Sequence, residues 1–274
     1  MSLPDWLRNA LNNFAQGYRV LTRPPRAKPP TVTVGAIVAA IIMLIVTVAS
    51  MFLVDAAASD WARSLPQWIR DVFGQITNFG LSGWFLFPFG FVLLYLAALT
   101  WPALSRGTQA VMATLTVRFG FLFLAIGVPG LFVAIVKRLI GRARPYVGDH
   151  DNPFAYMPFI WRPDYASMPS GHATTAASAA IAIGAICPRA RAVMWLYALV
   201  IMLSRVVVLE HHPSDVIAGA LVGTVGTLLV RRWFAARGLM FSAIDLRAFP
   251  WPSWKRIRAA LREVTSAPRP RQKP

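Results

Sequence analysis

Between Val34 and Val54 the chain runs for 21 residues without a charged side chain. A helix needs about 20 apolar residues to cross the hydrocarbon of a bilayer, so this run has the length and composition of a membrane span. Two further uncharged runs follow, from about Trp84 to Leu104 and from Phe119 to Val136, with Pro88 and Pro129 expected to kink them. Ala173 to Cys187, about Ala192 to Leu209, and Val216 to Val230 are shorter or carry a charge. Flanking residues extend each towards spanning length, which gives an all-α polytopic membrane protein with six transmembrane helices. Composition agrees, at 56% hydrophobic and 14% charged residues, against about 45–50% and about 25% in soluble domains. An aqueous monomer is excluded.

Lys and Arg number 28 against 11 Asp and Glu, a net charge of +17. Such a balance attracts polyanions. The spanning runs exclude nucleic acid as the partner and leave anionic lipid headgroups and a substrate phosphate as the destinations of that charge. Cys187 is the single cysteine, so a disulfide framework or a cysteine metal cage is excluded, and it is expected to be a small buried hydrophobe.

The first span follows a leader, residues 1–33, that holds Arg-Pro-Pro-Arg and Lys-Pro-Pro rather than the short basic start of a signal peptide. It is therefore expected to remain in the mature protein. The leader carries five basic residues (Arg8, Arg19, Arg23, Arg26, Lys28) against Asp5, and the segment from Arg231 onward carries eleven against Asp245 and Glu263. Both ends read as cytoplasmic by the positive-inside rule. Six crossings of residues 34–236 satisfy this, and the connections around Arg106 and around Arg189 and Arg191 fall on the same side. Leu7, Ala10, Leu11, Phe14 and Tyr18, and then Trp254, Ile257 and Leu261 among Lys255, Arg256, Arg258 and Arg262, recur at helical spacing. These suit amphipathic helices on an anionic leaflet, in the leader and in the basic tail 237–274; solvated tails are the other reading. Trp61, Trp84, Trp101 and Trp161 near span ends fit an interfacial belt. Gly219 and Gly223 give a spacing that favours close helix approach, within or between chains.

On this topology the segment Lys137 to His172 lies outside, where positive charge is disfavoured, yet it holds Lys137, Arg138, Arg142, Arg144 and Arg162 against Asp149, Asp151 and Asp164. Cations placed against the topological preference are a functional signal. Three segments, Lys137 to Pro145 (KRLIGRARP), Pro169 to His172 (PSGH) and Ser204 to Asp215 (SRVVVLEHHPSD), converge on this face. Lys137, Arg144 and Arg205 can surround a tetrahedral oxyanion. Ser170 and Gly171 open a helix, whose free N–H groups favour an anion, and His172 titrates near neutrality. His211 stands four residues before Asp215, with Pro213 suited to a first helical turn. A carboxylate one turn from an imidazole can fix its tautomer and leave the other nitrogen free to attack. His150, His172, His211 and His212 all fall outside, but no two carboxylates join them at ligand spacing, and the nearby cations would repel a divalent ion. His212 is expected to cap the last span, with assistance to catalysis as its other role.

These three blocks, Lys with six residues then Arg-Pro, Pro-Ser-Gly-His, and Ser-Arg with five residues then His with three then Asp, resemble the full signature of the type 2 phosphatidic acid phosphatase (PAP2) superfamily. It includes membrane lipid phosphatases, bacterial acid phosphatases and vanadium haloperoxidases. Every signature position is filled between Lys137 and Asp215, and the six-span order resembles the membrane branch. The resemblance implies a PAP2-like helical bundle and a phosphatase with no metal and no cofactor. His211 would be the nucleophile that forms a phosphohistidine, Asp215 would orient it, and His172 would protonate the leaving oxygen and then activate water. Lys137, Arg144, Ser170, Gly171 and Arg205 would bind the phosphoryl oxygens. A site at the outer membrane edge suits a lipid phosphate in a bacterial inner membrane: undecaprenyl diphosphate, phosphatidylglycerol phosphate, phosphatidic acid or the 1-phosphate of lipid A. Phosphoryl transfer to another lipid at the same site, a non-catalytic protein that binds anionic lipids, and a vanadium-dependent peroxidase stand as alternatives. The second leaves His172, His211 and Asp215 without a purpose, and the soluble chemistry of the third fits six spans poorly. Oligomeric state is left open.

Overall fold

The computed structural model describes residues 4–29, 31–147 and 152–266. Ten α-helices lie among them: α1 (Asp5–Thr22), α2 (Val34–Leu53), α3 (Asp55–Ser64), α4 (Gln67–Thr77), α5 (Gly83–Ala98), α6 (Arg106–Ile140), α7 (Gly171–Ile186), α8 (Arg191–Val207), α9 (Pro213–Ala236) and α10 (Trp254–Ser266). The all-α expectation holds; β pairing among the described residues is limited to isolated bridges between Arg142 and Tyr156 and between Phe241 and Ala248.

Five segments are long and apolar enough to cross a membrane: Val34–Leu53, Gln67–Ala98, Arg106–Ile140, Pro188–Val207 and Pro213–Ala236. The expected sixth crossing corresponds to α7, which has 16 residues and so spans about 24 Å at the helical rise, less than the roughly 30 Å of hydrocarbon. The count of six is therefore not established. Two boundaries also differ from expectation. The run from Trp84 leaves the helix at Ala98 and enters a 3₁₀ turn at Trp101–Ala103, and α6 reaches 35 residues rather than stopping with the uncharged run. Apolar periodicity marks where a helix can meet lipid, whereas its polar ends stay helical beyond that zone.

Contacts divide the chain into two units. One comprises residues 31–86 and 124–230. In it α2 is turned inside out relative to a helix of a soluble protein: Leu44, Ile45 and Phe52 are exposed, while Thr47 and Ser50 are buried. Lipid as the surrounding solvent explains that inversion. Thr33 caps the helix by accepting from the Ala36 amide at 3.2 Å. Residues 55–77, which include Asp55, Asp60, Arg63, Arg70 and Asp71, fold as the amphipathic helices α3 and α4. Pro129 sits inside α6 and cannot donate to the Ala125 carbonyl. The Thr227 hydroxyl of α9 donates to that carbonyl at 2.9 Å and satisfies it.

Helix α7 consists largely of Ala, Ser, Thr and Gly, and it is buried along most of its length. Small side chains let α9 approach closely: a Cβ on Gly219 would overlap the Ser170 carbonyl, and one on Gly223 the Thr174 carbonyl. Thr174 and Ser178 donate to the Gly219 and Gly223 carbonyls at 3.0 and 3.2 Å. The spacing of these glycines is thus used within the chain. Cys187 follows α7 and is exposed, which corrects its expected burial. It lies where the buried small-residue run gives way to the Pro188–Ala190 turn.

The second unit comprises residues 1–30, 87–123 and 231–274. Phe121 meets Phe234 and Phe241 edge-on at 5.5 and 4.8 Å between centroids. Both expected amphipathic segments are helical, as α1 and α10. Asn13 of α1 donates to the Ala97 and Leu99 carbonyls, which end α5. On α10, Ala260 is buried with Ile257 and Val264 against Leu96, Leu104, Val111 and Met112. Glu263 accepts from the Ser105 amide and the hydroxyls of Ser105 and Thr108 at the start of α6, which satisfies the amide that leads into the helix. Trp61, Trp84 and Trp161 are exposed and Trp101 is partly covered.

Candidate active site

All the residues singled out from the sequence belong to the unit of residues 31–86 and 124–230. Lys137 stands in the last turn of α6, which ends at a tight turn. Gly141 has φ +63°, and a Cβ there would collide with the Met157 carbonyl, so only glycine fits. The chain then runs extended, with Ala143 N–H donating to Ala155 O and Arg144 N–H to Asp164 O, both at 2.9 Å. These bonds fix the direction of Arg142 and Arg144. His150 lies outside the described residues.

Ser170 is fully buried and caps α7, its hydroxyl accepting from the Ala173 amide at 3.5 Å. Its own amide donates to the Asp215 carbonyl at 2.9 Å, which ties the start of α7 to the start of α9. Gly171 and His172 occupy the first positions of α7, where backbone N–H groups have no partner within the helix. Against His172 lies Gly80, at which a Cβ would sit 2.8 Å from the imidazole Cδ2.

Arg205, in the last turn of α8, is 5% exposed. Its guanidinium donates to the Thr77 hydroxyl at 2.7 Å and pairs with Glu210 at 3.3 Å. Arg144 pairs with the same Glu210 oxygen. After α8 the chain passes through Leu209, a non-glycine at φ +59°. That left-handed conformation is strained, and the Glu210 and His211 amides both turn back to the Arg205 carbonyl at 3.1 Å. The turn brings His211 beside Arg205.

His211 is 4% exposed, and its Nδ1 faces Asp215 Oδ2 at 3.8 Å. That distance is too long for a direct hydrogen bond. Ser167 stands between them, donating to Asp215 Oδ2 at 2.6 Å with its oxygen 3.4 Å from His211 Nδ1. Burial pushes the His211 imidazole down to about 4; Asp215 opposes that shift, and Arg205 and Arg144 add to it. The ring is therefore neutral near pH 7, as a nucleophile must be. His172 lies within electrostatic reach of Arg205, His211, Lys137 and Arg144. The structure thus brings His172, His211, Asp215, Lys137, Arg144 and Arg205 together.

Several members were not singled out from the sequence. Arg142 is fully buried and donates to Asp215 at 2.6 Å, Asp55 at 2.8 Å, Ser214 at 2.7 Å and the Pro153 carbonyl at 2.9 Å. Burial disfavours its charge, but Asp215 and Asp55 more than offset this and raise its pKa. Asp55, first residue of α3, also accepts from the Ser214 amide at 3.0 Å, the Ser214 hydroxyl and the Ser50 hydroxyl at 3.1 Å. Breaking a buried ion pair on one side costs about 3–5 kcal/mol, so this network holds the mouth of α9 rigidly. His212 caps α9 through its backbone: its N–H donates to Asp215 Oδ2 at 2.9 Å and its carbonyl accepts from the Asp215 amide. Its ring is buried 3.3 Å from the Ser59 hydroxyl, and burial lowers its pKa.

A divalent ion needs three or more imidazole, thiolate or carboxylate ligands gathered at one point, and among the described residues no His, Cys, Asp and Glu side chains are so placed. Here Asp55 and Asp215 are already shared with a guanidinium, and Lys137, Arg144 and Arg205 supply positive charge, which suits a tetrahedral oxyanion.

Residues 118–239, which contain every signature position, match the PAP2 superfamily. A lipid A 1-phosphatase of Rhizobium johnstonii is 32% identical over 210 residues, covering 76% of this chain and 83% of that protein. One of Rhizobium etli is 32% identical over 209 residues, covering 76% and 88%. A crystal structure of a transmembrane PAP2 type phosphatidylglycerolphosphate phosphatase from Bacillus subtilis aligns with a TM-score of 0.49 at 21% identity, over 70% of this chain and 94% of that one. With its lipid-facing helices and filled signature, the chain belongs to the PAP2 superfamily and is a membrane phosphatase of that family.

Proposed function

We propose that the protein removes a phosphate from a lipid at the outer face of a bacterial inner membrane, through a phosphohistidine on His211. The observation that carries the reading is the buried, neutral His211, backed by Asp215 and gathered with His172 and three cations. His211 Nε2 attacks phosphorus, because Nδ1 is the nitrogen turned towards Asp215. As the P–N bond forms, the bond to the lipid oxygen breaks, and His172, whose charged form the phosphoryl dianion favours against the burial and neighbouring cations that lower its pKa, gives its proton to that oxygen. His172 then takes a proton from water, whose oxygen attacks phosphorus; the P–N bond breaks and inorganic phosphate leaves. Lys137, Arg144, Arg205 and the amides at Ser170 and Gly171 hold the non-bridging oxygens, where spread negative charge makes placed donors most effective. Glu210, which pairs with Arg144 and Arg205, yields its place to the phosphoryl group.

The Rhizobium relatives act on lipid A, which makes the 1-phosphate of lipid A the first candidate substrate. Outer-face placement rests on the basic residues at both termini. A reporter fused after Pro274 is expected to be active only in the cytoplasm; activity confined to the outside would overturn that placement. Phosphate release by the detergent-purified protein across lipid A, undecaprenyl diphosphate, phosphatidylglycerol phosphate and phosphatidic acid tests the reaction. Release that continues in excess chelator and is blocked by vanadate, a five-coordinate mimic of the transferring phosphoryl group, supports the reading. Activity abolished by chelator and restored by zinc or magnesium would contradict it.

A further inference from the structure

We infer that Asp55 is a positioning residue for the reaction at His211: through Arg142 it leaves the buried carboxylate pair with one net negative charge facing the imidazole. The inference rests on the phosphohistidine reading. Arg142 donates one nitrogen to Asp55 and another to Asp215, and all three side chains have no exposed surface. Two carboxylates sharing one guanidinium leave a single negative charge, and His211 Nδ1 faces it at 3.8 Å from Asp215.

Chemistry makes that charge useful at one stage. When Nε2 bonds to phosphorus and Nδ1 keeps its proton, the ring becomes cationic. Were Asp55 neutral, Arg142 would belong to Asp215 alone, and the pair facing the ring would carry no net charge. Low surrounding polarity amplifies the difference. Geometry adds to it, because Ser214, the second residue of α9, is held by Asp55 through both its amide and its hydroxyl. Asp55 thereby sets the start of the helix that carries Asp215. It touches no part of the phosphoryl group, so its removal should slow bond formation to His211 and leave oxyanion binding unchanged.

Asp55→Asn keeps the shape and removes the charge. Its kcat is expected to fall about 10–100-fold, the usual cost of losing an orienting partner, while KM and vanadate inhibition stay within about threefold. Ser214→Ala, a milder change, should lower kcat in the same direction by less than about tenfold with KM unchanged. If Asp55→Asn does not fold, this second variant decides. Wild-type kcat in Ser214→Ala or in a folded Asp55→Asn, or KM and vanadate inhibition worsening in step with kcat, would overturn the inference. Absence of phosphoenzyme in the wild-type protein would instead sink the phosphohistidine reading on which it stands.

Discussion

Arg142 and Arg205, at 0% and 5% exposure, are gripped by carboxylates and hydroxyls, whereas Lys255, Arg256 and Arg262 of α10 are exposed. Both sets contribute to the same charge of +17. Buried cations are costly to desolvate and persist only where geometry repays them, so the first set is fixed in place by its partners. Exposed cations are screened and interchangeable. Net charge therefore says little about function until burial sorts it.

The sharpest break in that comparison comes from His172, which lies within electrostatic reach of Arg205. His172→Ala should lower turnover on a phosphomonoester lipid by roughly 10²–10⁴-fold, the worth of general-acid help. The loss should be smaller on a diphosphate or an activated aryl phosphate, whose leaving groups depart without a proton. Equal losses on both substrate types, measured by phosphate release, would remove the general-acid role.

Next, Arg205→Lys keeps the charge but loses the planar fork that now reaches both Thr77 and Glu210. Turnover should drop about 10²-fold, as for loss of one oxyanion donor, with vanadate inhibition weakened. Unchanged vanadate inhibition would show that charge alone is sufficient there.

A pH titration sharpens the comparison further. The folded pKa of His211 is about 4, below the ordinary 6.5, so as pH falls below 6.5 the unfolded chain takes up a proton before the folded one. This residue's contribution to stability is full above 6.5, is lost as pH falls towards about 4, and changes no more below that. Imidazole NMR, assigned with His211→Ala, should find the ring neutral at pH 5; a midpoint between 6 and 7 would show it is less buried than described.

The smallest effect belongs to the exposed set. Changing Lys255, Arg256 and Arg262 together to Gln should leave turnover in detergent within about twofold, since exposed charges contribute little individually. A large loss would mean that α10 communicates with the chemistry.

Legibility in the sequence followed the range of the interactions. The signature placed His211, Asp215, His172, Lys137, Arg144, Ser170 and Arg205 because each role demands a residue type at a fixed local spacing. Asp55 has no such mark: it meets Ser214 across 159 positions, and no spacing announces that. Arg142 lies inside KRLIGRARP and was counted only as one more outer cation, since burial, not identity, distinguishes it from Arg138. Helix α4 has no place in the sequence expectation: Ile69, Phe73 and Ile76 are partly buried on it, but Arg70 and Asp71 among them break the apolar run that marks a span. The exposure of Cys187 and the shortness of α7 share a cause, because a run of small residues measures burial by protein rather than thickness of lipid.

The claim that His211 carries the phosphoryl group is tested most directly by trapping. Wild-type protein quenched during turnover of a ³²P-labelled lipid phosphate should retain acid-labile, base-stable label, and peptide mapping should place it on His211. His211→Ala should retain none at any pH. Label persisting in His211→Ala, or wild-type turnover without it, would contradict the account.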